Sequence, residues 1–248
     1  MSHLPADAES NTARIRELIA PLARACSGQP VFLVDGDRTL SPDDTSRTFA
    51  RLAGLDPLVI KRRFERDGYC FAAFRFHAEA HLELGNRAFD EIAPRVARDT
   101  VLHPGASEFL AAASSAAQVF VVSAGIPRLW RRILDDRGFE NVRVIGGIEP
   151  AAPYVFGRGE KAIVARLFLE SAATLVGVGD SDVDTELLEL AHHAVLVLNH
   201  RRNADLLPHL ARHPSLWQVA PNGGAHDGIP LLEFPAVAGL VSRSPACR

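Results

Sequence analysis

Short apolar runs, each closing on a glycine and an acid or hydroxyl, recur along the chain and alternate with stretches of helical spacing. Val31-Phe32-Leu33-Val34 runs into Asp35-Gly36-Asp37, Val119-Phe120-Val121-Val122 into Ser123-Ala124-Gly125, and Leu175-Val176-Gly177-Val178 into Gly179-Asp180. Runs this short between turn residues predict strands buried on both faces. Strands of that kind separated by helices predict an open parallel sheet in an α/β, three-layer arrangement. The run at 194–198 extends the sheet, and 215–219 predicts a short last strand. Apolar residues at Ile15, Leu18, Ile19 and Leu22 predict an amphipathic helix over 11–25. Further helices are expected over 106–116, 127–134 and 161–170. Residues 41–118 carry no strong strand pattern, and most of 45–96 reads as helix. His103-Pro104-Gly105 then marks a return to the sheet-bearing part. Residues 221–227 read as loop and 242–248 as a tail, and the adjacent His192 and His193 read as surface.

Composition narrows the class. A chain of 248 residues with 47% hydrophobic content can bury one full core and a smaller accessory unit. A net charge of -3 without a basic tract gives no expectation of nucleic-acid or membrane partners. The three cysteines, Cys26, Cys70 and Cys247, lie far apart, and an odd count argues against a disulfide framework. The first residues bring acids and no apolar core of signal-peptide length, and no segment reaches the roughly 20 apolar residues that span a bilayer. A cytoplasmic protein is expected.

The strand ends carry the chemistry. Asp35 and Asp37 sit two residues apart where ligands bind in parallel sheets, and two such carboxylates repel unless a hard cation such as Mg²⁺ joins them. An ordinary Asp-Gly turn is the competing reading. Ser123 stands before a helix, either to bind phosphate oxygens together with the free N–H groups of the first turn or as an N-cap. Lys161 is one of only two lysines, Lys61 being the other, in a chain that otherwise uses arginine. A compact ammonium was wanted there, or drift left it. Asp180 and Asp184, four residues apart across a strand end, can reach one cation or can stabilise a helix N-terminus, as Asp182 can.

In this order, Asp-x-Asp-x-Thr, an apolar strand ending in Ser, a lone Lys and Gly-Asp-x-x-x-Asp resemble the haloacid dehalogenase superfamily of phosphohydrolases, in its phosphoserine phosphatase-like branch. The resemblance implies a Rossmann-like core, residues 1–42 and 101–248, with a helical cap domain, residues 43–100, inserted between the first two motifs. It also implies an aspartyl-phosphate mechanism: Asp35 is the nucleophile and Asp37 the acid and base. Thr39 and Ser123 would bond the transferring phosphoryl, and Lys161 would neutralise charge. Mg²⁺ would take the Asp35 and Asp180 carboxylates and the Asp37 backbone carbonyl, with Asp184 holding a metal water or Lys161. Relatives that cleave carbon–halogen bonds lack the second acid, so Asp37 favours phosphate esters. Arg38 departs from the pattern, and of two readings, contact with phosphate or pointing to solvent, the second is the expectation.

The cap offers Arg47, Lys61, Arg62, Arg63, Tyr69, Arg75, Phe76 and His77 as anchors, most of them expected to be bystanders. Phe71, Phe74 and Phe76 read more simply as cap core. Asp44 is the sharper candidate, because amino-acid-specific relatives carry an ammonium-binding glutamate nine residues after the nucleophile. Arg75 would add a carboxylate contact, and Gly125 and Ser123 would line the phosphate end. The expected activity is Mg²⁺-dependent hydrolysis of a small phosphate monoester, with an amino-acid phosphate such as phosphoserine as the leading substrate. A sugar, polyol or nucleoside phosphatase, a phosphotransferase and a regulatory binding module remain open. Oligomeric state is not legible.

Overall fold

The computed structural model describes residues 3–149, 152–198 and 203–243. Cys247 and most of the expected tail lie outside them. Six parallel strands, β1 (Pro30–Val34), β2 (Gln118–Val122), β3 (Arg143–Ile145), β4 (Thr174–Gly179), β5 (His193–Val197) and β6 (Leu216–Val219), form one sheet in the order β3-β2-β1-β4-β5-β6. The chain winds outward from β1 to β3, then restarts beside β1 at β4. Between β1 and β4 the connections therefore leave in opposite directions, and this switch point is where open α/β sheets bind ligands.

The helices are α1 (Ala8–Ala25), α2 (Thr45–Leu52), α3 (Pro57–Asp67), α4 (Phe71–Leu82), α5 (Gly85–Asp99), α6 (Ala106–Ala116), α7 (Pro127–Asp135), α8 (Arg158–Leu169), α9 (Thr185–Leu190), α10 (Asn203–Leu210) and α11 (Phe234–Val237). Strand alternation divides the core between them. Val31 and Leu33 face a layer that holds Ile15 and Ile19 of α1, Val164 and Phe168 of α8, and Leu187 of α9. Phe32 and Val34 face the other layer, with Phe109 of α6, Trp130 and Ile133 of α7, and Phe234 of α11. A sheet covered on both faces explains why β1, β2 and β4 read as continuous apolar runs.

Helices α2 to α5 occupy the stretch read as helical in sequence. Phe49, Phe89 and Val96 from this stretch pack with Ile126 and Leu129 at the start of α7, so a third apolar cluster joins the insert to the sheet-bearing part. Helix α3 differs from its neighbours. None of its residues is buried, and Leu58 and Val59 stand about half exposed.

Two features differ from expectation. Strand β3 is absent from the sequence reading: it is three residues long at the sheet edge, with β2 as its neighbour. His193 is buried within β5, its Nδ1 2.6 Å from Ser215 Oγ, and His192 Nδ1 accepts from the Leu175 amide at 2.9 Å, so neither is a plain surface residue. Among the described residues, no helix is long and apolar enough to cross a membrane.

Candidate active site

The strand ends converge on one cavity of about 560 Å³, lined by residues that include Asp35, Asp37, Ser123, Gly125, Lys161 and Asp180 from the loops beyond β1, β2 and β4 and the start of α8. The Asp35 amide donates to the Val178 carbonyl at 2.8 Å, so Asp35 is held by the β1–β4 ladder itself. The chain then turns sharply, with the Thr39 and Leu40 amides both bonding the Gly36 carbonyl. Gly36 is required at this turn by a close approach. A Cβ there would stand 2.3 Å from the Trp130 ring, whose Nε1 donates to Asp37 Oδ1 at 3.2 Å.

Lys161 links the acids. Its ammonium lies 2.5 Å from Asp35 Oδ1 and 2.6 Å from Asp184 Oδ1, with the lysine side chain 1% exposed. The other Asp184 oxygen accepts from the amides of Asp180 and Ser181 and the Ser181 hydroxyl, each at 3.2 Å. Both Asp184 oxygens are thus occupied, and Asp184 is placed to hold Lys161. Asp35, Asp180 and Asp184 have carboxylate oxygens within 4.8 Å of one another, all three buried. Burial pushes Asp35 up to about 6; the Lys161 ammonium opposes the shift and Asp184 adds to it. Burial, then the charges of Asp35 and Asp184, hold Asp180 well above the ordinary carboxylate range. Acids that cannot all ionise alone, offering only hard oxygens, fit a divalent cation, and Asp35, Asp180 and Asp184 are the residues that could hold one.

Asp37 is set apart by its partners. Besides Trp130, Oδ1 accepts from the Thr45 amide at 2.9 Å and the Thr45 hydroxyl at 2.6 Å. Desolvation raises its carboxyl to about 7, with the Asp44 charge adding to the shift and the Thr45 hydrogen bond opposing it. A carboxyl poised there can give up or take a proton at neutral pH. On the β2 side, the Ser123 amide bonds the Ile145 carbonyl, and Ser123 Oγ accepts from the Gly125 amide at 3.1 Å, which leaves the hydroxyl proton available. Gly125 has no room for a side chain: a Cβ would lie 2.2 Å from Ser46 Oγ and 2.9 Å from Asp37 Oδ2.

Several sequence expectations need correction. Thr39 is fully buried, and its hydroxyl donates to Asp180 Oδ1 at 3.2 Å and also hydrogen-bonds Asp35, so it braces the two carboxylates at the cavity. Arg38 does not run out to solvent. From a left-handed backbone, φ 64°, it lines the cavity and meets Asp44 at 2.6 Å. Asp44 lies on the cavity wall but is taken up by Arg38 and by capping α2 through the Arg47 amide. Arg75 is not brought to the site, because it bonds Glu79 on its own helix and the Ala6 carbonyl. Asp182 lines the cavity outside the acidic cluster.

Trp130, Thr45 and Asn203, whose amide donates to the Asp180 and Val197 carbonyls, escaped the sequence reading. Trp130 and Asn203 act on acids far away in sequence, Thr45 on one eight residues before it, and no local pattern marks any of them. A tryptophan on the inward face of α7, one of two in the chain, was the nearest thing to a signal.

A family model for haloacid dehalogenase-like hydrolase matches residues 32–189. Among solved structures, a phospho-aspartyl intermediate analogue of phosphoserine phosphatase is similar at a TM-score of 0.51 and 17% identity, over 73% of this chain and 91% of that one. A protein of unknown function from Bordetella pertussis Tohama I gives 0.57 and 18%, over 77% and 98%. A HAD family hydrolase from Salmonella enterica serovar Typhi gives 0.53 and 17%, over 86% and 84%. At these identities the likeness is one of fold. No curated protein matches the chain in sequence.

Proposed function

Because the chain belongs to the haloacid dehalogenase-like hydrolases, we propose that it is a Mg²⁺-dependent phosphatase that hydrolyses a small phosphate monoester through an aspartyl-phosphate on Asp35. The observation that carries this reading is the pairing of two unlike carboxyls on one cavity. Asp35 sits 2.5 Å from the Lys161 ammonium, and Asp37 is raised to about 7. In the first step, Asp35 attacks phosphorus and the ester P–O bond breaks, with the Asp37 proton passing to the departing alkoxide. In the second, Asp37 removes a proton from a water whose oxygen attacks phosphorus, the P–O bond to Asp35 breaks to return its carboxylate, and inorganic phosphate leaves. Lys161 offsets charge on Asp35 and the phosphoryl oxygens, and the Ser123 hydroxyl donates to one of them. Mg²⁺, taken by Asp35, Asp180 and the Asp37 backbone carbonyl, supplies charge neutralisation at the phosphoryl group when bound.

Residues 43–100 serve as the cap over a core formed by 1–42 and 101–248. A cavity walled by α2, α3 and α4 as well as by the strand ends suits a small molecule. A phosphorylated amino acid such as phosphoserine is the sequence-based candidate, and the name of the similar phosphoserine phosphatase structure favours it. The engagement of Asp44 by Arg38 counts against it. The free, exposed Cys70 fits a reducing, cytoplasmic setting. The test is phosphate release from a panel of phosphorylated metabolites, with and without Mg²⁺, beside Asp35→Asn. Metal-dependent release lost in the variant is the expected result; release that survives in Asp35→Asn overturns the mechanism.

A further inference from the structure

The cavity wall supplied by α3 and α4 is not built for a small zwitterion. Phe64 and Phe74 meet edge to face at 4.9 Å between centroids, and Tyr69 lies 5.5 Å from Phe64 and 6.1 Å from Phe74. All three rings line the cavity, with Leu58 and Ile60 beside them, and Phe64 and Tyr69 remain only half-buried. The acids that the insert brings to this wall are already matched, Asp44 by Arg38 at 2.6 Å and Glu65 by Lys61 at 3.3 Å. No carboxylate from these helices is left over for a substrate ammonium.

Two histidines on the wall have ring nitrogens without a partner. His77 is 8% exposed, lines the cavity and packs 6.0 Å from the Phe64 ring, yet neither of its ring nitrogens makes a hydrogen bond among the described residues. His81, one turn on, uses Nδ1 on the His77 carbonyl at 2.8 Å, and its Nε2 is buried without a partner. The His77 nitrogens are not among the buried atoms without a partner, so they keep access to the cavity, where a ligand can hydrogen-bond them. Apolar walls with one convergent hydrogen-bonding group are the usual construction of a pocket for an organic ring.

We infer that the leaving group of the substrate carries a ring or comparable planar apolar body, seated against Phe64, Tyr69 and Phe74, with a polar substituent hydrogen-bonded by His77. The inference rests on the phosphatase reading and specifies the organic half of the ester, about which the motif residues say nothing.

The test compares kcat/KM, by phosphate release from the full chain in Mg²⁺, for benzyl phosphate, 3-hydroxybenzyl phosphate, propyl phosphate and O-phosphoserine, with p-nitrophenyl phosphate as a general reporter. All four test esters leave as primary alcohols. The ring esters are expected to exceed propyl phosphate and phosphoserine by about tenfold or more. His77→Phe keeps ring volume and is expected to remove the advantage of the hydroxybenzyl over the benzyl ester, through KM, while benzyl phosphate turnover persists. His77→Gln, which can still hydrogen-bond, is expected to restore part of it. If His77→Phe does not fold, the wild-type ranking and His77→Gln decide. Hydrolysis of the reporter with propyl phosphate or phosphoserine equal to or above benzyl phosphate overturns the inference alone. Failure to hydrolyse the reporter and every ester overturns the phosphatase reading, and the inference with it.

Discussion

The Arg38 guanidinium meets the Asp44 carboxylate at 2.6 Å, tying the loop that leaves β1 to the N-cap of α2. One Asp44 oxygen takes Arg38 and the other takes the Arg47 amide, so a single side chain caps α2 and anchors the catalytic loop. Arg38 holds its place from a left-handed backbone, which a residue with a Cβ adopts at a cost of order 1 kcal/mol. The pair also sets the electrostatics of the site, since the Asp44 charge is, after desolvation, the next cause that raises Asp37.

Replacing Asp44 by asparagine keeps an oxygen for the α2 cap and removes that charge. Asp37 then holds its proton less tightly. The alkaline limb of the kcat profile, set where Asp37 loses the proton that it gives the leaving group, should move to lower pH in Asp44→Asn. A limb that stays in place or moves upward would remove Asp37 from the acid role.

Lys161 is the cation shared by two buried carboxylates. Lys161→Met leaves both uncompensated, and breaking a buried pair in this way costs about 3–5 kcal/mol. Urea unfolding at neutral pH should register that loss, together with loss of turnover. An equally stable variant would mean that the acids were held protonated and that Lys161 contributes little.

Asp35, at about 6, and Asp180, well above its ordinary range, bind protons more tightly folded than unfolded. Stability from these groups is complete below the unfolded carboxylate range near pH 4 and falls as pH rises through about 6. A divalent cation takes the place of the protons, so the Tm of the chelator-treated protein should fall between pH 5 and pH 7.5. Added Mg²⁺ should raise Tm more at pH 7.5 than at pH 5. A shift equal at both values would separate the metal from these acids.

Gly125→Ala puts a methyl group 2.2 Å from Ser46 Oγ and 2.9 Å from Asp37 Oδ2. Something must move, and Asp37, the proposed acid and base, is one of the groups at hand. Turnover should fall by roughly 100-fold with the circular dichroism spectrum unchanged, the cost of a misplacement near 1 Å. Wild-type kcat in that variant would show that the β2 loop has slack.

The sheet and the strand-end chemistry are legible in sequence because both are local. Val31 to Val34 must be buried on two faces to be so uniformly apolar, and the acids that follow have nowhere to go but the strand end. Strand β3 is not legible, since three residues beginning with Arg143 carry no period. The partnerships are equally hidden. Trp130 reaches Asp37 across 93 positions of chain and through the gap that Gly36 leaves, and a helical pattern gives its inward face but not what it meets there. The partner of Asp44 is hidden for the same reason: its spacing suggests a substrate contact, while the structure also brings the left-handed Arg38 to it. Thr39 shows the converse, a motif residue whose position is readable but whose hydroxyl is already engaged by the carboxylates of Asp180 and Asp35.

Helix α3 walls the substrate cavity without burying any residue of its own. Substitutions at such positions usually change stability by about 0.5 kcal/mol or less. Leu58, Ile60, Lys61, Phe64 and Glu65 are therefore free to vary one at a time while β1, β4 and α8 keep the phosphoryl chemistry fixed. The fold separates the part that must be conserved for catalysis from the part that can be retuned for a new leaving group, and descendants of this chain can change diet without first surviving a loss of stability.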